Sequence, residues 1–383
     1  MKIGVLKETG NEKRVAIIPG CAQALAKMKL SVLMEKGAGK SAFYSDADYE
    51  ATGAKMTTRE DILKNAELII KIHPPSASDL ASLKEGTVLV ALLNPFFNLA
   101  LVKSLAAKNI TSFSMELIPR ITMGQTMDVL SSQATVSGYK AVLDAAVHLP
   151  HFMPMFMTAA GTIKPAKVLI LGAGVAGLQA IATAKRLGAI VQVFDVRSAV
   201  KEEVNSLGAG FVEVQGARED SKAGGYAIEQ DQEFEKRQAQ AIHDHATKSS
   251  VVICTAQIPG KKAPVLLLTK TVEQMRPGSV IIDLAAASGG NCELTQDGKT
   301  IIHNDVTIIG KSDYPSEMPL DSSMMLGRNI INFIKRIFDR EGNMNINFED
   351  EIVKGTCLTH NRIVVHQKIR ELLNGGEPGA AKK

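Results

Sequence analysis

Short apolar runs recur along the chain, separated by longer stretches in which apolar residues return at helical spacing. In the first third the runs fall at residues 3–6, 31–34, 68–72, 88–93 and 110–115. The segments 20–28, 46–52, 59–65 and 99–107, which lie between them, read as helices. Strand and helix in alternation imply parallel strands joined by crossover helices. A long helix over residues 133–147 leads to a second region of the same kind. There the strand-like runs are 168–171, 190–194, 251–255, 280–284 and 307–309. Two charged stretches, 201–206 and 229–245, suit solvated helices. Residues 324–338 read as a helix that returns to the first region. The expected architecture is α/β, with two doubly wound parallel-sheet domains joined by long helices. One comprises 1–132 plus 319–383, and the other 133–318. The tail 375–383, rich in Gly, Ala and Lys, is expected to lack fixed structure.

Composition narrows the function. A chain of 383 residues fits two domains of roughly 100–200 residues each. Apolar residues at 45% and charged residues at 22% are ordinary for a globular protein. The net charge of +4 is spread along the chain without a basic stripe or interleaved aromatics, so no nucleic-acid partner is expected. Cys21, Cys254, Cys292 and Cys357 lie far apart and form no CxxC pair, which points to reduced thiols and no metal site. Within 148–157, His148, His151, Met153, Met155 and Met157 could suggest a soft-metal site. Pro150, Phe152, Pro154 and Phe156 among them favour a packed, irregular connector instead. The opening residues read as a strand rather than a signal peptide. The uncharged runs 86–102 and 168–184 are interrupted by Asn and Pro or by glycines, and fall short of the roughly 20 apolar residues of a membrane span. A soluble protein, with no direct membrane insertion, is expected.

The strongest chemical signal is Lys167-Val-Leu-Ile-Leu-Gly172-Ala-Gly174-Val-Ala-Gly177. A lone GxGxxG is weak, but here an apolar strand precedes it and a helical pattern, 178–187, follows. Gly172 would make the tight turn, Gly174 would let a pyrophosphate approach the backbone, and Gly177 would let helix and strand pack closely. The helix N-terminus would offer free N–H groups to the phosphates. Asp195 ends the next strand about 20 residues on, where an acid binds ribose hydroxyls and repels a 2′-phosphate. NAD(H) is therefore expected over NADP(H). Arg197 follows the acid and is expected near the adenine or solvent. The first domain has no glycine-rich turn after its first strand and is expected to lack a nucleotide fingerprint of its own.

Over nearly its whole length the chain resembles the alanine dehydrogenase and proton-translocating transhydrogenase superfamily. The resemblance rests on Lys7-Glu8…Arg14-Val-Ala, Glu35-Lys-Gly-Ala-Gly39, Lys167–Gly177, Ile258-Pro-Gly260…Ala263-Pro264 and Pro277-Gly-Ser-Val-Ile-Ile-Asp283. The dehydrogenase branch carries a catalytic His where this chain has Asn94, and an Asp where it has Ala287. Amine oxidation needs an acid–base group. Arg14 and Lys71, which would bind a substrate carboxylate and carbonyl, are retained, and an inherited ion pair or solvated charge is the preferred reading. The segment 115–133 resembles instead the nicotinamide loop of the NAD(H)-binding component of transhydrogenases. That resemblance implies Arg120, Gln125, Asp128 and Ser131 around the nicotinamide, with Arg120 and Asp128 as an ion pair. Ala223-Gly-Gly225-Tyr226-Ala resembles the family's mobile loop over the nucleotide. Val175, Val196, Arg197, Gly225, Tyr226, Gln238 and Gln257 complete the expected cofactor contacts, with the nucleotide in the cleft of two Rossmann-like domains.

The mechanism implied is direct hydride transfer between NADH on this chain and NADP(H) on a partner subunit. No proton moves at carbon, so the protein needs only to orient two rings and exclude water. The implied partners are an NADP(H)-binding subunit, membrane-spanning transhydrogenase subunits that pass the protons, and a second copy in a homodimer. The implied place is the cytoplasmic face of the inner membrane, held peripherally by those partners. An NAD-dependent amino-acid dehydrogenase and a non-catalytic NAD-binding module are the alternatives.

Overall fold

The apolar runs fold as strands in a computed structural model that describes residues 1–216, 231–258 and 260–375. The chain divides into two units, Met1–Gln133 with Pro315–Lys383, and Ala134–Tyr314.

In the first unit, β1 (Lys2–Val5), β2 (Ser31–Glu35), β3 (Lys55–Thr57), β4 (Leu68–Ile70), β5 (Val88–Ala91) and β6 (Thr111–Ser114) are all parallel, in the order 3-2-1-4-5-6. The sequence supplies helices where crossovers are needed. Thr58 caps Arg59–Asn65 by accepting a hydrogen bond from the Asp61 N–H, and Ser76 with Asp79 forms a capping box on Ala77–Ser82. Both sheet faces are buried. Val5, Val32, Ile70, Val90 and Phe113 face one core, and Leu33, Ile69, Leu89 and Ala91 the other. Strand alternation thus reads as near-continuous apolar sequence, as parallel sheets require.

The second unit repeats the plan. A self-paired hairpin, β7 (Phe156–Thr158) with β8 (Gly161–Ile163), comes first. The sheet consists of β9 (Lys167–Leu171), β10 (Ile190–Phe194), β11 (Gly210–Phe211), β12 (Val251–Cys254), β13 (Val280–Asp283), β14 (Thr300–His303) and β15 (Val306–Gly310). Its order is 11-10-9-12-13-15-14, parallel except for the β14–β15 hairpin at the edge. Val168, Ile170, Val251 and Ile253 pack on one side, and Leu169, Leu171, Val252 and Cys254 on the other.

The chain then returns to the first unit. The helix Pro319–Ile337 lays Leu326, Ile330, Phe333, Ile334 and Ile337 on its sheet, with the Phe333 ring 5.2 Å from that of Phe113. β16 (Cys357–His360) adds antiparallel to β6, and β17 (Ile363–Val364) to β16.

The segment 148–157 departs from the packed connector expected. Leu149 and Met153 are buried, but Phe152, Met155, Phe156 and Met157 are exposed, because the hairpin they lead into pairs only with itself. Among the described residues no helix is long and apolar enough to cross a membrane. No group of three or more His, Cys, Asp or Glu among them could hold a metal ion. All four cysteines are free and buried.

Candidate nucleotide site

The second sheet reverses direction between β9 and β12, the crevice at which open α/β sheets bind ligands beyond the strand C-termini. Gly172 follows β9 there. Its φ of +102° suits glycine, and a Cβ would lie 2.6 Å from Thr255 Oγ1. Thr255 Oγ1 itself donates to the carbonyl oxygens of Leu171 and Gly172. A Cβ on Gly177 would lie 1.9 Å from the Gly172 carbonyl oxygen, so the helix Val175–Arg186 approaches the strand end only through a glycine. Gly174 differs. Nothing lies within 4 Å of where its Cβ would be, which leaves open space before a helix N-terminus that no side chain caps. Val175 opens that helix and is 39% exposed. Room and a helix N-terminus that has no side-chain cap among the described residues together fit a pyrophosphate.

Asp195 lies just beyond β10 and is tied to the glycine turn, because the Ala173 N–H donates to its Oδ2 at 2.7 Å. Arg197 holds the same carboxylate through Nε at 2.9 Å and Nη2 at 2.7 Å. That hydrogen bonding, set against burial and helped by the charge of Asp195, raises the Arg197 pKa further. Val196 between them is half-buried. Gln257, in the loop after β12, is exposed and donates to the Leu284 carbonyl at 3.1 Å. Gln238 is half-buried on the helix Gln232–Ala246. Gly225 and Tyr226 lie outside the described residues.

The 115–133 segment belongs to the first unit. It forms 3-10 turns, Met115–Leu117 and Thr122–Met127, before the helix Val129–His148, which begins four residues earlier than its expected start at 133. Asp128 marks where that helix begins. Its carboxylate accepts from the Ser131 N–H at 2.9 Å and the Ser131 hydroxyl at 2.6 Å, capping the long helix at residue 128. Gln125 and Arg120 are exposed, and Asp128 and Ser131 are half-buried. Asn329 and Asn332 both donate to the Thr126 carbonyl and fix the turn against the returning helix.

Sequence reasoning missed three positioning groups. A Cβ on Gly138 would lie 2.0 Å from the Ala176 carbonyl oxygen, so a second glycine brings a helix against the phosphate turn. A glycine within a strongly helical run is its sequence signal. Asp283, fully buried, accepts from the N–H groups of Ala285, Asn291 and Cys292 and from the Thr295 hydroxyl. Asn291 in turn brackets Ala256, accepting from its N–H and donating to its carbonyl, and donates to Pro264. These contacts hold the loop that carries Thr255 and Gln257.

Arg14 and Lys71 are both paired within the first unit. Glu12 takes Arg14 through Nε at 2.8 Å and Nη2 at 2.6 Å, and His73 Nε2 at 2.7 Å. Burial raises the Glu12 pKa, but hydrogen bonds from Arg14 and His73 and the Arg14 charge outweigh it and hold the carboxyl far below the usual carboxylate range. Arg14 also donates to Gln133 at 2.8 Å. Lys71 Nζ lies 3.6 Å from Glu8, both side chains 2% exposed. Asn94 is exposed and offers its backbone N–H to Glu116, whose pKa burial pushes up. Ala287 is exposed in a 3-10 turn.

The sheet order, the glycine turn and the acid beyond the second strand define a Rossmann-class α/β protein. The chain belongs to the alanine dehydrogenase/PNT family, whose N-terminal domain profile matches residues 4–137 and whose C-terminal domain profile matches 141–367. It is 43% identical to the first part of NAD(P) transhydrogenase subunit alpha of Rhodospirillum rubrum, over 96% of this chain and 98% of that one. A solved transhydrogenase structure from Sinorhizobium meliloti superposes with a TM-score of 0.87 at 40% identity, covering 95% of this chain and 100% of that one. Alanine dehydrogenase of Mycobacterium tuberculosis is more distant, at 26% identity over 96% of each chain.

Proposed function

We propose that this chain is the NAD(H)-binding component of a proton-translocating transhydrogenase. The observation that carries the reading is the 43% identity to a transhydrogenase alpha-subunit segment along 96% of the chain. The site chemistry supports it. Asn94 and Ala287 offer no acid or base for amine chemistry, and Arg14 and Lys71 are occupied by Glu12 and Glu8.

A bound nicotinamide supplies the hydride. The chain's own residues then do three things. Gly172, Gly174 and Gly177, with Val175 opening the helix, shape the phosphate cradle, and Asp195 takes the ribose, with Val196, Arg197, Gln238 and Gln257 around the adenosine and the strand ends. Gln125 and Ser131 hydrogen-bond the carboxamide or ribose, while Arg120 pairs with Asp128 to favour one ring geometry. Gly225 and Tyr226, outside the described residues, complete the expected nucleotide contacts. Hydride passes to NADP on a partner subunit, with no proton moved at carbon. A separate membrane subunit couples the exchange to proton passage, and this chain sits peripherally on the cytoplasmic face as a homodimer. The exposed hairpin around Phe156 and Met157 is in keeping with a protein that buries more surface in an assembly.

The test is reconstitution. The purified chain with NADH and NADP is expected to give negligible exchange, and an added NADP-binding domain is expected to restore it. Turnover of alanine or pyruvate by the isolated chain would sink the proposal.

A further inference from the structure

We propose that Arg197 is a selectivity-setting residue that competes with the ribose for Asp195 and tempers the site's preference for NADH over NADPH. The inference rests on the nucleotide reading above. An ionised carboxylate presents about four lone-pair sites. On Asp195 four donors already converge. They are the N–H of Ala173 at 2.7 Å, the N–H of Arg197 at 2.9 Å, and Arg197 Nε at 2.9 Å and Nη2 at 2.7 Å. The Asp195 side chain is 6% exposed, and that of Arg197 25%.

Two consequences follow from this geometry. Ribose hydroxyls reach Asp195 as hydrogen-bond donors only if the guanidinium fork lets go, so NADH binding includes breaking a bidentate ion pair. The Ala173 N–H pins the carboxylate to the glycine turn, so it is the arginine that has to move. A 2′-phosphate meets the opposite situation. The acid that would repel it is neutralised, and a guanidinium suited to phosphate stands at the same place. Arg197 therefore weakens NADH binding and eases NADPH binding.

Calorimetry of NADH and NADPH on the full chain tests this. The ratio of NADPH to NADH dissociation constants is expected to rise roughly tenfold in Arg197→Gln, the scale of one charge contact in a partly exposed site. It is expected to rise less in Arg197→Lys, which keeps the charge and loses the fork. With Asp195→Asn already present, Arg197→Gln should no longer tighten NADH binding, because no carboxylate remains for the ribose to win. An unchanged or lower ratio in Arg197→Gln, or a tightening of NADH by Arg197→Gln that persists without the Asp195 carboxylate, overturns the proposal. Should the Gln variant fail to fold, the Lys variant decides alone, and a ratio no higher than that of the unmutated protein overturns it. Unmutated protein that binds neither nucleotide removes the site itself, and the proposal with it.

Discussion

The two sheets share the strand order 3-2-1-4-5 and reverse direction at the same topological point, yet they treat that point oppositely. In the second unit the ends of β9 and β12 meet through Gly172 and Thr255, with space left in front of Gly174. In the first, the ends of β1 and β4 are followed by Glu8 and Lys71, a buried ion pair, with Glu12, Arg14 and His73 close in sequence. One crevice is kept open by glycines and the other is filled with charges that satisfy each other. The fold supplies the crevice. The residues after the first strand decide whether anything enters it.

Breaking the open crevice should have the largest effect. Gly177→Ala places a Cβ against backbone that cannot yield, so NADH binding is expected to disappear and the second unit to lose roughly 3 kcal/mol. Calorimetry and thermal melting read both. Breaking the filled crevice should cost stability alone. Glu12→Gln leaves Arg14 buried without its partner and is expected to destabilise by roughly 3 kcal/mol with NADH affinity unchanged. The lowered Glu12 pKa fixes the sign of its pH dependence. Its stabilisation is complete above its ordinary value of 4.5 and fades as pH falls toward the depressed value, so unmutated protein and Glu12→Gln should converge in stability only in strong acid. An equal difference between them at pH 7 and at the lowest pH that preserves folding would refute this.

The nicotinamide loop sharpens the contrast, because it places chemistry in the unit without a glycine turn. Asparagine caps helices as well as aspartate does. Asp128→Asn, like Gln125→Asn, is therefore expected to leave the melting temperature unchanged while single-turnover hydride transfer in the reconstituted complex slows about a hundredfold. Lowered melting with unchanged rates would make the loop scaffold. The smallest effect is expected at Gly20, which lies in the first turn of the helix Pro19–Lys27 with empty space where a Cβ would stand. Gly20→Ala should stabilise by at most about 1 kcal/mol. Loss of stability there would refute the contrast with the crowded Gly177.

The central strands of the second sheet are legible because buried parallel strands are apolar on both faces, as in Val251–Cys254. The helices Arg59–Asn65 and Leu99–Ala107 are legible from their periodicity, and Thr58 marks the start of the first. The short strands Lys55–Thr57 and Thr300–His303 escape notice because edge strands are half polar. A different limit governs the sites. The turn at Gly172 and the packing at Gly177 are local and follow from spacing. That Arg197 folds onto Asp195, or that Asn291 brackets Ala256, depends on where side chains end up, which no spacing rule encodes. The 3-10 turn at Thr122–Met127 carries only two large apolar residues and no periodicity to mark it, and only the hydroxyl and N–H of Ser131 on Asp128 reveal where the helix starts.

The return of the chain to its first sheet has a consequence for its synthesis. The face formed by Val5, Val32, Ile70, Val90 and Phe113 is covered only in part, by residues such as Leu25 and Tyr49, until the helix Pro319–Ile337 has left the ribosome, whereas everything the second sheet needs is contiguous between Ala134 and Tyr314. The later half of the message therefore completes its fold first, and the earlier half waits as an apolar surface for chaperones to shield. Nascent chains stalled shortly after residue 350 of the sequence, probed by brief proteolysis, should show a protected 134–314 fragment beside a cleavable N-terminal one; equal protection of both would disprove that order.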